Sequence, residues 1–194
     1  MKGSLQMREA TKVTVGYQYM RMILTQAAAS GIAFVFGAVA FWYFTNINIV
    51  KQLISVVFMF VNFAFLYTAS KKFAVMDGRN YTILKVNKIK GALFGAVISG
   101  INLVLMIVFR LLWMRFGTET GITGIFPTAF NAFFYLWSYP YNGIMNLENG
   151  VFTIYSGILM IILPAIATLS GYIAGTRNIN ITDKLDSFVY EKEE

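Results

Sequence analysis

Cysteine and histidine are both missing from the 194 residues, proline occurs three times, and only 13% of the chain is charged. Without Cys there is no disulfide framework and no thiol nucleophile. Without His there is no imidazole acid–base chemistry and no haem or zinc site of the usual His and Cys kind. The shortage of charge excludes more. A soluble domain carries roughly 25% charged residues and about 45–50% apolar ones. This chain is 57% hydrophobic, with a mean hydropathy of +0.62. So few charges cannot coat a water-facing surface, and lipid is the expected solvent for much of it. Among the acids, Asp77, Glu119 and Glu148 read as isolated loop residues, which gives no carboxylate pair for hydrolysis. Gly-rich phosphate loops are absent. No charged residue falls deep inside an apolar run, which speaks against a proton-coupled pump or a voltage sensor.

What the chain does have is long apolar runs. A helix rises about 1.5 Å per residue, so about 20 apolar residues cross a hydrocarbon core of about 30 Å. Four runs predict spans, at about residues 22–44, 53–69, 91–112 and 151–174. The first ends in Phe41-Trp42-Tyr43-Phe44, an interfacial aromatic belt with no cleavage site after it, so it reads as an anchor rather than a leader. The last contains Pro164, tolerable in a membrane helix as a kink. Residues 116–150 are apolar but hold Pro127, Pro140, Asn131, Asn142 and a crowd of rings from Phe126 to Tyr141. That composition reads as an aromatic interfacial or re-entrant segment; a fifth span over 122–137 is the alternative.

The net charge of +7 is distributed in a telling way. The amino-terminal stretch and the 70–90 loop are both basic, and two spans separate them. Positive-inside orientation puts both in the cytoplasm. The 176–194 tail, led by Arg177 and Lys184, joins them if residues 122–137 do not cross. The expected architecture is therefore an all-α polytopic membrane protein, one membrane domain over 1–194. It has four transmembrane helices, both termini cytoplasmic, and 116–150 against the outer face.

Three sets of residues are candidates for function. Small residues recur every four positions as Ala33 and Gly37, as Gly91, Gly95 and Ser99, and as Ala167, Gly171 and Gly175. That spacing lines one helix face and lets another backbone approach closely. Packing within the monomer and a contact with a second copy or a membrane partner both fit. Asn62 and Asn102 fall near the middle of their spans. They form a candidate polar pair worth about 0.6–2 kcal/mol as interhelical glue, or a substrate contact. Lys71, Lys72, Arg79, Lys85, Lys88 and Lys90 make the loop a contact for anionic lipid headgroups or an acidic partner. Nucleic acid is not expected, because no aromatic platform is interleaved with those charges.

Two stretches carry a likeness to a known group. One is Lys88-Ile89-Lys90-Gly91-x-x-x-Gly95-x-x-x-Ser99. The other is Gly171-Tyr172-x-x-Gly175-x-Arg177-x-Ile179-x-Ile181-Thr182-Asp183-Lys184-Leu185. Together they resemble a family of small, functionally uncharacterised integral membrane proteins of Gram-positive, clostridial-type bacteria. The resemblance implies a bacterial cytoplasmic membrane and carries no chemistry. Members similar to this chain have a Pro soon after the Ser; here Gly100 and Asn102 stand in that neighbourhood.

The leading functional expectation is a non-enzymatic membrane accessory, scaffold or regulatory protein without a cofactor, working by helix–helix and lipid contacts. The rival expectation is transport: a subunit that binds a small molecule or lipid, or a small oligomeric channel.

Overall fold

Lipid offers no partner to backbone N–H and C=O groups, so a chain with these apolar runs must close its hydrogen bonds within helices. The computed structural model describes residues 14–43, 48–78, 86–87, 89–118, 121–144 and 154–177. Their elements are α1 (Val15–Tyr43), α2 (Asn48–Asp77), α3 (Ile89–Phe116), a two-stranded ribbon of β1 (Gly117–Thr118) and β2 (Gly121–Ile122), α4 (Ile125–Trp137), a 3₁₀ turn (Tyr139–Tyr141) and α5 (Ile154–Thr176). Four of these, α1, α2, α3 and α5, are long and apolar enough to cross a membrane. The chain is an all-α polytopic membrane protein. The first three spans are longer than their apolar runs, because helix geometry continues into the polar turns that flank them. Thus α2 runs on through Lys71 and Lys72 to Asp77.

Contacts between helices fix their directions. Gln18 meets Asp77 and Gly37 meets Phe58, so α1 and α2 are antiparallel. Gly91 lies against Tyr172 and Gly157 against Met106, so α3 and α5 are antiparallel. Gly171 faces Tyr67 and Gly175 faces Lys71, so α2 and α5 run parallel. Thr14, Asp77, Ile89 and Arg177 consequently gather at one end of the bundle, called here the Asp77 end.

The outward faces are apolar. Val35, Phe36, Phe60, Val104, Ile107 and Ile166 are all more than half exposed, an arrangement suited to lipid rather than water. Inside, one buried cluster lies toward the Asp77 end, around Leu66, Phe73, Phe94, Ile98 and Tyr172. A second, around Met59, Phe109, Phe134, Trp137, Tyr141 and Met160, fills the other half.

That second cluster exists because the aromatic segment does not stay at the surface. At 13 residues, α4 is about 20 Å long, too short to cross. It starts beside the far end of α3, where Thr123 N–H donates to Phe116 O at 2.9 Å, and Ile125 there is 95% exposed. Gly121 and Gly124 turn the chain with positive φ of 132° and 98°, where a side chain would be strained. The helix then descends along α3. Phe134 stacks on Phe109 with ring centroids 4.7 Å apart, and Trp137 reaches Asn102 at the middle of α3. The 3₁₀ turn reverses the chain, and Gly143 comes back against Lys51 and Ser55 of α2. Residues 121–144 therefore enter the bundle and turn back within it.

Candidate functional site

Non-helical backbone at mid-bundle depth is tolerated only where protein satisfies it, and the hairpin tip shows how. Ser138 Oγ donates to Phe134 O at 2.7 Å, which the Ser138 N–H also reaches at 2.9 Å, and Asn142 Nδ2 donates to Tyr135 O at 3.0 Å near the end of α4. Ser30 Oγ on α1 donates to Trp137 O at 2.7 Å. On α2, Ser55 Oγ accepts the Gly143 N–H at 2.7 Å, and Asn62 Nδ2 donates to Tyr141 Oη at 3.1 Å. The tip is thus tied to two spans by hydroxyl and amide groups buried in the bundle.

Asn102 ties it to two more. Trp137 Nε1 donates to Asn102 Oδ1 at 2.8 Å, and Asn102 Nδ2 donates to Met160 O at 2.8 Å. The second bond has a covalent cause. Pro164 has no N–H to return to the carbonyl four residues earlier, and that carbonyl is Met160 O. Asn102 supplies the missing donor, while Ser99 Oγ caps the neighbouring Ile161 O at 2.6 Å.

Among the described residues, three buried side-chain polar atoms have no partner: Asn62 Oδ1 and Gln26 Oε1 beside the tip, and Gln18 Oε1 at the Asp77 end. Asn62 is 1% exposed and Gln26 is 0% exposed. Turning the Asn62 amide over only exchanges one open atom for another. Gln26 gains a single long bond, Nε2 to Ser30 Oγ at 3.5 Å. A buried, unmet polar group costs about 1–3 kcal/mol, so these positions are suited to a guest that carries donors.

A separate polar cluster closes the Asp77 end. Asp77, 4% exposed, accepts from Lys90 Nζ at 2.6 Å and Tyr172 Oη at 2.8 Å through Oδ2, and from Gln18 Nε2 at 2.9 Å through Oδ1. Its partners come from α3, α5 and α1. One carboxylate on α2 therefore joins all four spans. Tyr172 Oη also accepts the Asn87 N–H at 3.5 Å.

Comparison with protein-family models, with curated proteins and with solved structures gives no match.

The predicted residues fall into place unevenly. The small-residue stripes are buried inside the bundle. A Cβ on Gly95 would come within 2.6 Å of Ala165 Cα, and one on Gly171 would strike the Tyr67 carbonyl. Gly91 lies against Tyr172 and Thr168, Gly175 against Lys71, and Gly37 against the Tyr139 ring. Ala33 and Ala167 are fully buried. Asn62 and Asn102 are both buried but are not hydrogen-bonded to each other. Each turns to the hairpin instead, because the tip places Tyr141 and Trp137 within reach before the two amides can meet.

The basic set divides. Lys71 is half-buried and Lys72 exposed, both on α2 rather than in a loop. Lys90 is 7% exposed and paired with Asp77, so it is withdrawn from any headgroup or partner contact. Arg79, Lys85 and Lys88 lie outside the described residues. Asp77, read from sequence as an isolated loop acid, is instead the last residue of α2, and it is the one carboxylate among the described residues. Among the described residues, no three His, Cys, Asp or Glu side chains gather as a metal site would need.

Proposed function

We propose that this is a non-enzymatic, multi-pass protein of the bacterial cytoplasmic membrane that works by binding: a transport-class subunit. It holds a small polar or amphipathic molecule beside the tip of its re-entrant hairpin. The observation that carries this reading is the pair of unpartnered, buried amide oxygens on Asn62 and Gln26, next to a tip whose neighbouring groups are paired. A donor-bearing guest would complete that network. Selection would come from hydrogen bonds at a few fixed positions in an otherwise apolar wall.

The scaffold reading drew on the small-residue stripes. Those stripes pack against α2, α5 and the hairpin of the same chain, which leaves that reading with less to stand on. Orientation follows from charge. Arg21, Lys71, Lys72, Lys90 and Arg177 lie toward the Asp77 end, against Lys51, Arg110 and Arg115 toward the other. Positive-inside bias supports a cytoplasmic Asp77 end. The hairpin then enters from the outer face.

Mass spectrometry of small molecules co-purifying with the intact protein tests the binding reading. The wild type is expected to retain a specific guest, and Gln26→Leu/Asn62→Leu to lose it while keeping its helical content. If the wild type retains nothing and the double variant is simply more stable, the two oxygens meet only water, and the accessory role becomes the better account.

A further inference from the structure

We infer that the groove between α1 and α2 at the Asp77 end is a binding site for one anionic phospholipid. The groove encloses about 840 Å³, within the ~300–1,000 Å³ typical of small-molecule sites and far more than an inorganic phosphate fills. It is distinct from the hairpin tip. Its walls are Tyr17 and Arg21 of α1 and Phe65, Ala69, Lys72 and Phe73 of α2.

The placement of these groups matches a lipid lying along the helices. Lys72 is five residues and Arg21 six residues from the ends of their helices, roughly 8–9 Å along each axis. That is headgroup depth for side chains able to extend toward water. Phe65 lies about 10 Å deeper, two turns further along α2, where an acyl chain would run. Tyr17 and Phe65 are partly exposed, so the groove opens sideways to the bilayer rather than into the bundle. Arg21 and Lys72 are exposed, and the single ion pair among the described residues is Lys90–Asp77. Two exposed cations above an apolar trough complement a phosphate ester on two chains. A zwitterionic headgroup would bring its own cation against Arg21 and Lys72.

The test uses the full chain in neutral detergent, titrated with phosphatidylglycerol or phosphatidylcholine of identical acyl chains and read by native mass spectrometry. Two surface cations near the headgroup predict roughly thirtyfold tighter binding of phosphatidylglycerol. Arg21→Gln/Lys72→Gln should bring the two lipids level, and neither side chain is part of the core. Thr68→Trp, which fills the groove without touching charge, should lower retention of both. Inorganic phosphate should not compete, because the acyl chain supplies much of the contact. The inference is overturned if the wild type shows no preference between the lipids. It is equally overturned if the preference survives the charge variant, or if inorganic phosphate displaces the lipid.

Discussion

Asp77→Asn removes one charge and almost no volume, so its effect isolates the electrostatics of the Asp77 end. The carboxylate accepts from three donors on three other helices. A carboxamide has one oxygen, and its NH₂ would have to face a donor. Lys90 would be left as a cation with only 9% of its side chain exposed. Breaking a buried pair by removing one partner costs about 3–5 kcal/mol. Hydrogen bonds between membrane helices, by contrast, average about 0.6 and reach at most about 1.7 kcal/mol. The loss of neutral bonding alone would therefore amount to about 1–2 kcal/mol. With side-chain exposures of 9% for Lys90 and 1% for Asp77, the stranded charge should dominate, and about 3 kcal/mol is expected. Reversible unfolding in mixed micelles, followed by tryptophan fluorescence, gives the number. Lys90→Met supplies the control: combined with Asp77→Asn it removes the stranded cation, and the pair should couple by about 0.5–3 kcal/mol. A cost for Asp77→Asn below about 1 kcal/mol, with purely additive behaviour in the double variant, would refute burial of the pair.

Three further outcomes follow from the packing. Asn102→Leu strands Met160 O and Trp137 Nε1 and should cost about 2–6 kcal/mol, at about 1–3 for each group. Pro164→Ala should recover part of that by restoring an N–H to Met160 O, whereas strict additivity in the unfolding titration would count against the assignment. Gly171→Ala should lose about 1–3 kcal/mol against the Tyr67 carbonyl, while Gly31→Ala, which meets nothing within 4 Å, should stay within about 0.5 kcal/mol. Because the chain has no cysteine, Thr123→Cys gives a single label site. It should react with an impermeant thiol reagent on intact cells, and reaction only after permeabilisation would reverse the proposed orientation.

The four spans were legible because each is a run whose length and lack of charge answer to one physical requirement, crossing hydrocarbon. The stripes of Gly91, Gly95 and Ser99 were legible for a similar reason: helix periodicity is local, and small residues four apart permit close approach wherever the partner lies. Which partner was not legible, because that depends on helix order in space. Asp77 was misread for the same cause. In sequence it stands alone among lysines, and only the packing of α1, α3 and α5 around it reveals three donors. Asn102 carried a readable signal that pointed elsewhere. A proline in a membrane helix frees the carbonyl four residues before it, so Pro164 demanded a donor for Met160 O, and a mid-span amide on a neighbouring helix is a natural supplier. The depth of the hairpin had weaker signals. Pro127 and Pro140 argued against a crossing helix, but nothing local distinguishes a segment that lies on the interface from one that enters and returns.

The fold's central claim is that residues 134–144 enter the bundle and are held there by Ser30, Ser55, Asn62 and Asn102. Amide hydrogen exchange of the reconstituted protein measures this without a substitution. The account predicts that the amides of Ser138, Tyr141, Asn142 and Gly143 exchange as slowly as those in the middle of α2. Exchange of this stretch at the rate of a surface loop, while α2 and α3 stay protected, would contradict it.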